Sequence, residues 1–456
     1  FRAMFPEIST PNPVQETVFL AAEQAELPAL LILEAPTGIG KTEAALYLAD
    51  RWLQTRQGKG IYIAMPTQAT SNQMYDRVMK FLTSRYPAQC LNAHLVHGAA
   101  LLAENDANLE PQGIALDEKA PEASAIKAES WFLPRKRTLL APFGVGTVDQ
   151  ALLAVLQTNH FFVRLFGLGQ KVVVFDEVHA YDTYMSTLFQ RLLGWLRSVG
   201  TSVILLSATL PAETRQKMVA AWLGTDETPL PSAAYPRLTL ATPSGVNAAP
   251  LPAPENRAIR LEWTDPDPVQ IANHLAEKLQ QGGCAAVICN RVRRAQDVYE
   301  ALQAKNILPP ENLILFHARF PFQWRKEIED RVLALLNKNG QRPQKAIVVA
   351  TQVIEQSLDL DFDYMVTDLA PVDLLLQRAG RLHRHPRNQP GRPSALQAPI
   401  LALCRPPLDG DLPNFGADKH IYDESTLLAT WLSLQGRASL RLPDETEDLI
   451  EAVYGK

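Results

Sequence analysis

Ala35-Pro36-Thr37-Gly38-Ile39-Gly40-Lys41-Thr42 is the stretch whose residue types and spacing best suit phosphate chemistry. Backbone N–H groups of a glycine-punctuated turn can converge on phosphate oxygens. The Lys41 ammonium can neutralise β/γ charge, and the Thr42 hydroxyl can hold Mg2+. The expected ligand is a nucleoside triphosphate, although the pattern opens with Ala35 where the usual G-x-x-x-x-G-K-[ST] form opens with Gly. Farther along, Asp176-Glu177-Val178-His179 follows the apolar run Val172–Phe175. Asp176 there can complete the Mg2+ shell begun by Thr42, and Glu177 can polarise a water for in-line attack on a γ-phosphate. Ser207-Ala208-Thr209-Leu210-Pro211 follows another apolar run, where hydroxyls could link the acidic cluster to a domain interface or merely cap a helix. Arg378 and Arg381 stand three apart within Gln377–Arg384. On a helix they would share a face and could reach a γ-phosphate as arginine fingers, the alternative being a solvated basic helix.

These groups need rigid elements to bring them together, and the chain supplies them as short apolar runs alternating with helical patterns, the signature of parallel-sheet α/β architecture. Strands are expected at Ala29–Glu34, Gly60–Pro66, Leu91–His97, Thr138–Pro142, Val172–Phe175 and Ser202–Leu206 in the first half. In the second half they are expected at Ala285–Cys289, Leu313–His317, Ala346–Thr351, Tyr364–Asp368 and Ile400–Cys404. Thr42–Leu53 has helical spacing, so the Lys41 turn joins a strand to a helix. Acidic residues at the end of a central parallel strand sit where open α/β sheets bind ligands. Thr242–Asn256 is rich in Pro, Ala and Gly and reads as an interdomain linker. Residues 101–137 read as a polar insertion, and 406–456 as coil followed by helix from about Glu424.

A chain of 456 residues exceeds one ordinary core. No run approaches the roughly 18 to 20 apolar residues that span a bilayer, so no membrane partner is expected and a cytoplasmic setting is. Cys90, Cys284, Cys289 and Cys404 lack metal-site spacing and read as reduced core thiols. The net charge of −5 gives no global attraction for nucleic acid. Local positive surface would have to come from clusters such as Arg135-Lys136-Arg137 and Arg291-Val292-Arg293-Arg294, or these are simply solvated.

Taken in order, Gln15, Ala35–Thr42, Pro66-Thr67-Gln68, Gly146-Thr147-Val148-Asp149-Gln150, Asp176–His179, Ser207–Pro211, Thr351–Asp361 and Gln377–His385 resemble the motif set of superfamily 2 helicases. The spellings DEVH, SATLP, TQVIEQSLDLDFD and QRAGRLHRH resemble the CRISPR-associated helicase-nucleases of type I interference systems. The resemblance implies two tandem RecA-like P-loop domains with mostly parallel sheets, at 1–241 and 257–405, joined by 242–256 and followed by a short helical C-terminal segment, 406–456. It implies ATP and Mg2+ as cofactors, with Gln15 recognising adenine and Pro36, Thr37, Gly38, Ile39, Gly40, Lys41 and Thr42 cradling the phosphates. It implies that Thr67, Gln68, Thr147 and Thr351 face the phosphodiester of a single strand. His179, Ser207, Thr209, Glu355 and Gln356 would couple nucleotide to strand, with Asp359 on the nucleotide side. Such contacts carry no base information and fit sequence-independent tracking.

The activity so implied is 3′ to 5′ translocation on single-stranded DNA driven by ATP hydrolysis in the cleft between the domains, recruited by an RNA-guided surveillance complex. A DExH-type RNA helicase and a nucleotide-gated scaffold are the competing readings. The family's metal-dependent nuclease carries a His-Asp dipeptide, and none occurs in this sequence. His94 and His97, three apart on an expected strand, fall on opposite faces. The nuclease is therefore expected as a domain or subunit outside this chain.

Overall fold

The computed structural model describes residues 1–56, 58–87, 91–96, 126–127, 138–156, 161–178, 183–338, 340–355 and 358–455. His179, Gln356, Cys90, the Arg135–Arg137 cluster and nearly all of the 101–137 insertion lie outside them. Contacts divide the chain into two units, Phe1–Pro254 and Glu255–Lys456.

The first unit runs α1 (Pro13–Ala22), β1 (Leu30–Glu34), α2 (Lys41–Arg56), β2 (Ile61–Met65), α3 (Gln68–Arg85), β3 (Leu91–Val96), β4 (Ile126–Lys127) and β5 (Phe143–Thr147). It continues α4 (Val148–Leu152), α5 (Phe161–Leu168), β6 (Val172–Phe175), α6 (Thr183–Ser198), β7 (Ser202–Ser207), α7 (Ala212–Leu223), β8 (Arg237–Thr242) and β9 (Gly245–Pro250). Among the described residues these strands form one sheet in the order β4-β3-β5-β2-β6-β7-β1-β8-β9. Pairing is parallel except at β1–β8 and β8–β9. Every residue of β1, β2, β6 and β7 is buried, because helices cover both faces. Leu31 and Leu33 of β1 pack with α1, α2 and α3, while Leu30 and Ile32 pack with α4, α6 and α7.

The second unit runs β10 (Arg257–Thr264), α8 (Pro268–Lys278), β11 (Gly283–Ile288), α9 (Val292–Lys305), β12 (Leu313–Phe316), α10 (Phe322–Leu336), β13 (Lys345–Ala350), β14 (Tyr364–Thr367), α11 (Val372–Ala379) and β15 (Ile400–Cys404). A small hairpin, β16 (Leu408–Asp409) with β17 (Leu412–Pro413), precedes α12 (Glu424–Leu434), β18 (Ser439–Leu442) and α13 (Thr446–Tyr454). The main sheet has the order β12-β13-β11-β14-β15-β10-β18, and β18 alone is antiparallel to its neighbour. Ile259 and Leu261 pack under α10–α13, whereas Ala285 and Val287 pack under α8 and α9.

Both α/β units agree with the expected fold class, and three local readings need correction. The strand expected at Thr138–Pro142 lies instead at Phe143–Thr147, preceded by a 3-10 turn over Thr138–Leu140. The buried Lys171 ammonium donates to the Leu139 and Ala141 carbonyls and fixes that turn. Ile61 N then donates to Pro142 O at 2.9 Å, an approach open only because residue 60 is Gly: a Cβ there would lie 1.7 Å from Pro142 O. Thr242–Asn256 is not a bare linker, since Gly245–Pro250 forms β9 in a hairpin with β8. Third, 406–456 adds more than coil and helix, because β18 extends the second sheet and Trp431, Leu434, Leu449 and Ile450 join its core. Among the described residues no helix is long and apolar enough to cross a membrane. Cys284, Cys289 and Cys404 are free and buried.

Candidate active site

β1 runs straight into the phosphate-loop sequence, and α2 starts at Lys41, so its N-terminus faces the loop with the positive end of its dipole. Gly38 and Gly40 both have φ +86°, a conformation that disfavours any side chain. Ala35 needs no such freedom. Its methyl is fully buried in the core and its N–H donates to Ser207 O at 3.2 Å, which is why alanine serves where glycine is usual. The Lys41 ammonium folds over the loop, donating to Pro36 O at 3.0 Å and to Ala35 O. Pro36, Ile39, Lys41 and Thr42 are partly exposed, and Thr37 and Gly38 open to solvent.

Gln15 is buried against this loop. Its Nε2 donates to Gly40 O at 3.1 Å, while its Oε1 accepts from Asn12 N at 3.0 Å. Asn12 Nδ2 donates to Ile39 O at 3.0 Å, so the capping box of α1 is also the clamp on the loop. A Cβ on Gly40 would come within 2.4 Å of Gln15 Nε2.

Asp176 and Glu177 follow β6, which is separated from β1 in the sheet by β7 alone. Both strands are parallel to β7, so the acidic pair and the phosphate loop lie at the same C-terminal edge, roughly 10 Å apart in strand spacing. Asp176 N donates to Ala64 O at 3.0 Å, and Glu177 N donates to Asp176 Oδ1 at 2.9 Å. Glu177 has φ +54°, left-handed for a residue with a side chain, and Val178 N then bonds Leu206 O at 2.8 Å. That turn brings the chain against the end of β7.

Ser207 ends β7 and its hydroxyl donates to Thr209 O at 2.8 Å, closing the Ser-Ala-Thr turn on itself. Beneath it lies a residue that sequence reasoning missed. Glu34, wholly buried at the end of β1, accepts Arg215 Nη1 at 2.9 Å, Arg237 Nε at 3.2 Å and Leu210 N at 3.2 Å. One carboxylate thus ties the strand feeding the phosphate loop to the Ser207–Pro211 turn, to α7 and to β8.

Thr147 ends β5, and Thr67 and Thr351 follow the C-terminal ends of β2 and β13, all three parallel strands. Thr67 is the N-cap of α3 and accepts from Thr70 N at 3.3 Å; Gln68 is the first residue of that helix. Thr147 and Thr351 are buried, at 6% and 3% exposure.

In the second unit, α11 ends at Ala379, and its cap Gly380 keeps helical dihedrals (φ −62°, ψ −12°), so the chain continues in a tighter turn in which Arg381 N donates to Arg378 O at 3.0 Å. Both guanidiniums converge on one segment, Ile354–Glu355. Arg378 donates to Glu355 Oε1 at 2.7 Å, to Asp368 O at 3.1 Å and to Thr367 Oγ1. Arg381 donates to Ile354 O at 2.9 Å, to Gln377 O at 3.1 Å and to Glu355 O. Neither is a solvated basic residue. Burial works against the Arg378 charge, and the neighbouring Glu355 carboxylate more than offsets it, holding the guanidinium above its usual basicity. Asp359 is half exposed and pairs with Arg384 at 2.7 Å and His385 Nε2 at 3.0 Å. The Arg291–Arg294 cluster is not free positive surface either, because Arg291, Arg293 and Arg294 pair with Asp418, Asp297 and Asp368.

Comparison with known proteins agrees with this geometry. The DEAD/DEAH box helicase family model matches residues 12–115, and the model for CRISPR-associated nuclease/helicase Cas3, C-terminal, matches residues 281–387. The chain is 43% identical over 495 residues to the CRISPR-associated endonuclease/helicase Cas3 of Thermus thermophilus, covering 100% of this chain and 53% of that protein. The crystal structure of T. fusca Cas3-ATP matches with a TM-score of 0.86 at 35% identity, over 99% of this chain and 53% of that one. A chain in a CRISPR RNA-guided surveillance complex, pre-nicking, matches with a TM-score of 0.75 at 32% identity, over 98% and 51%. The 456 residues therefore span about half the length of these relatives. From the phosphate loop to the arginine-bearing segment, the chain belongs to the Cas3 family of CRISPR-associated nuclease/helicases and corresponds to their helicase portion.

Proposed function

We propose that this chain is an ATP-driven motor that translocates 3′ to 5′ on single-stranded DNA and separates duplex. The observation that carries the proposal is the meeting of Lys41 and Thr42 with Asp176 and Glu177 at one edge of one parallel sheet, the arrangement needed for triphosphate hydrolysis. Thr42 and Asp176 offer a hydroxyl and a carboxylate, the hard oxygen donors that Mg2+ takes. Bound there, Mg2+ would neutralise charge on the β- and γ-oxygens. Lys41 exchanges its loop carbonyls for phosphate oxygens, Glu177 orients the attacking water, and Gln15 reads adenine from beside the loop. Hydrolysis takes place at the cleft between the two RecA-like domains, where Arg378 and Arg381 stabilise the γ-phosphate. Glu355, Gln356 and Asp359 couple that event to the second domain, as His179, Ser207 and Thr209 do in the first. Thr67, Gln68, Thr147 and Thr351 hold the strand by its backbone.

The partner is an RNA-guided surveillance complex, supported by the relative found in such an assembly, and the setting is cytoplasmic. Nuclease activity is assigned to a domain or subunit outside residues 1–456. A strand-displacement assay on duplexes with either a 3′ or a 5′ single-stranded tail tests the reading. Displacement from the 3′-tailed DNA only is expected. Preference for a 5′ tail, or for RNA of the same sequence, would overturn the direction or the substrate.

A further inference from the structure

β10 and β15 end side by side, and just beyond them the second unit carries a cavity of about 340 Å3 whose walls belong to no motif considered so far. Trp263, near the end of β10, and Trp431, on α12, supply two indoles. Arg405, directly after β15, sets its guanidinium 5.7 Å from the centre of the Trp263 ring. Its backbone N–H donates to Thr264 O at 2.9 Å, which fixes the side chain's origin at the strand end. Arg405 is exposed and makes no ion pair among the described residues. Arg437 enters from the turn between α12 and β18, held by Ser433 O at 2.7 Å and at 3.5 Å from Glu445 Oε1. Leu408 and Gly436 complete the rim.

Aromatic faces that accept stacked bases, interleaved with guanidiniums that hold phosphate, are what single-stranded nucleic acid requires of a binding surface. The cavity volume is at the lower end of the range for small-ligand sites, enough for a base with its sugar phosphate. Its position is also apt. Thr351 follows β13 at the same C-terminal edge, and the strand order β13-β11-β14-β15-β10 puts the cavity roughly 14 to 19 Å away along that edge. That interval lies within the reach of a strand occupying several nucleotides.

We infer that this cavity is a nucleotide subsite, in which Trp263 stacks a base of single-stranded DNA while Arg405 and Arg437 hold its phosphate. The identity of the ligand rests on the motor reading above; a base with a phosphate could also be a free mononucleotide, and the experiment separates the two. Fluorescein-labelled oligo(dT) is titrated against the whole chain by anisotropy over a potassium chloride series. Arg405→Ala is expected to lower the slope of log K against log salt by about 0.7, the increment of one single-strand phosphate contact. Trp263→Leu is expected to weaken binding roughly tenfold, as loss of one stacked base does, with its melting temperature checked alongside. Lys217→Ala, an exposed change in the first unit, should move neither quantity. Unchanged affinity and slope in Arg405→Ala overturn the inference, and so does displacement of oligo(dT) by dTMP at comparable concentration, which would give the pocket to mononucleotides. DNA-stimulated ATP turnover of the unmodified chain reports on the motor reading separately. If turnover is stimulated while the Arg405 variant binds normally, the subsite alone fails. If no nucleic acid stimulates turnover, the motor reading fails while the titration still decides the pocket.

Discussion

Glu177 owes its position to one backbone angle, a φ of +54° at the end of a strand with no exposed residue. Holding a side chain in that region is costly, and the bonds from Asp176, Ala64 and Leu206 hold it there. If the carboxylate positions the water, Glu177→Gln should keep ATP binding and lower turnover by about 100-fold or more. Turnover near that of the unmodified chain would remove Glu177 from the mechanism. Lys171 secures the opposite end of the same strand. Burial pushes its ammonium down from 10.5 to about 7. An unfolded lysine keeps its proton through that window while the folded one gives it up, so the unfolded state binds more protons and stability rises with pH from about 7 toward 10. Urea unfolding across the window should show that rise in the unmodified chain and a flatter dependence in Lys171→Met. An equal rise in both would contradict this account of the 138–142 turn.

At the scale of elements, the strands legible in the sequence were mostly short apolar runs, whereas β8, Arg-Leu-Thr-Leu-Ala-Thr, alternates polar and apolar residues and was not expected although it is buried throughout. β5, Phe-Gly-Val-Gly-Thr, is just as buried, but its two glycines carry no hydrophobic signal, and the more apolar Thr138–Pro142 drew the strand assignment instead. β9 and β10 were read past for a different reason: one is a half-exposed hairpin arm rich in Ala and Pro, the other alternates near the sheet edge. The phosphate loop and the acidic pair were legible because each is contiguous. Glu34 was not, since its partners Arg215 and Arg237 stand 181 and 203 positions away and only the sheet brings them together. Glu34→Ala removes the carboxylate that two buried guanidiniums share and should cost about 3 to 5 kcal/mol. Chemical denaturation of that variant measures the loss, and a change under about 1 kcal/mol would show that the hub contributes little. The arginine segment was legible as a motif, but not the burial of Arg378 and Arg381 against Glu355, which stands 23 and 26 positions away.

For the whole molecule, two α/β units each present a C-terminal strand edge with motif residues along it, and the net charge of −5 means that any bound polyanion would have to be held by placed groups rather than by a general field. The Asp-paired Arg291–Arg294 cluster reinforces this, since its charge is already compensated within the unit. If the chain is the proposed motor, a bound strand should raise its ATP turnover. The most direct measurement is ATP turnover by the chain with single-stranded DNA, with RNA and with neither, beside a Lys41→Ala variant. The account predicts stimulation by DNA that Lys41→Ala abolishes. Turnover that ignores DNA, or that survives near its normal rate without the Lys41 ammonium, would contradict it.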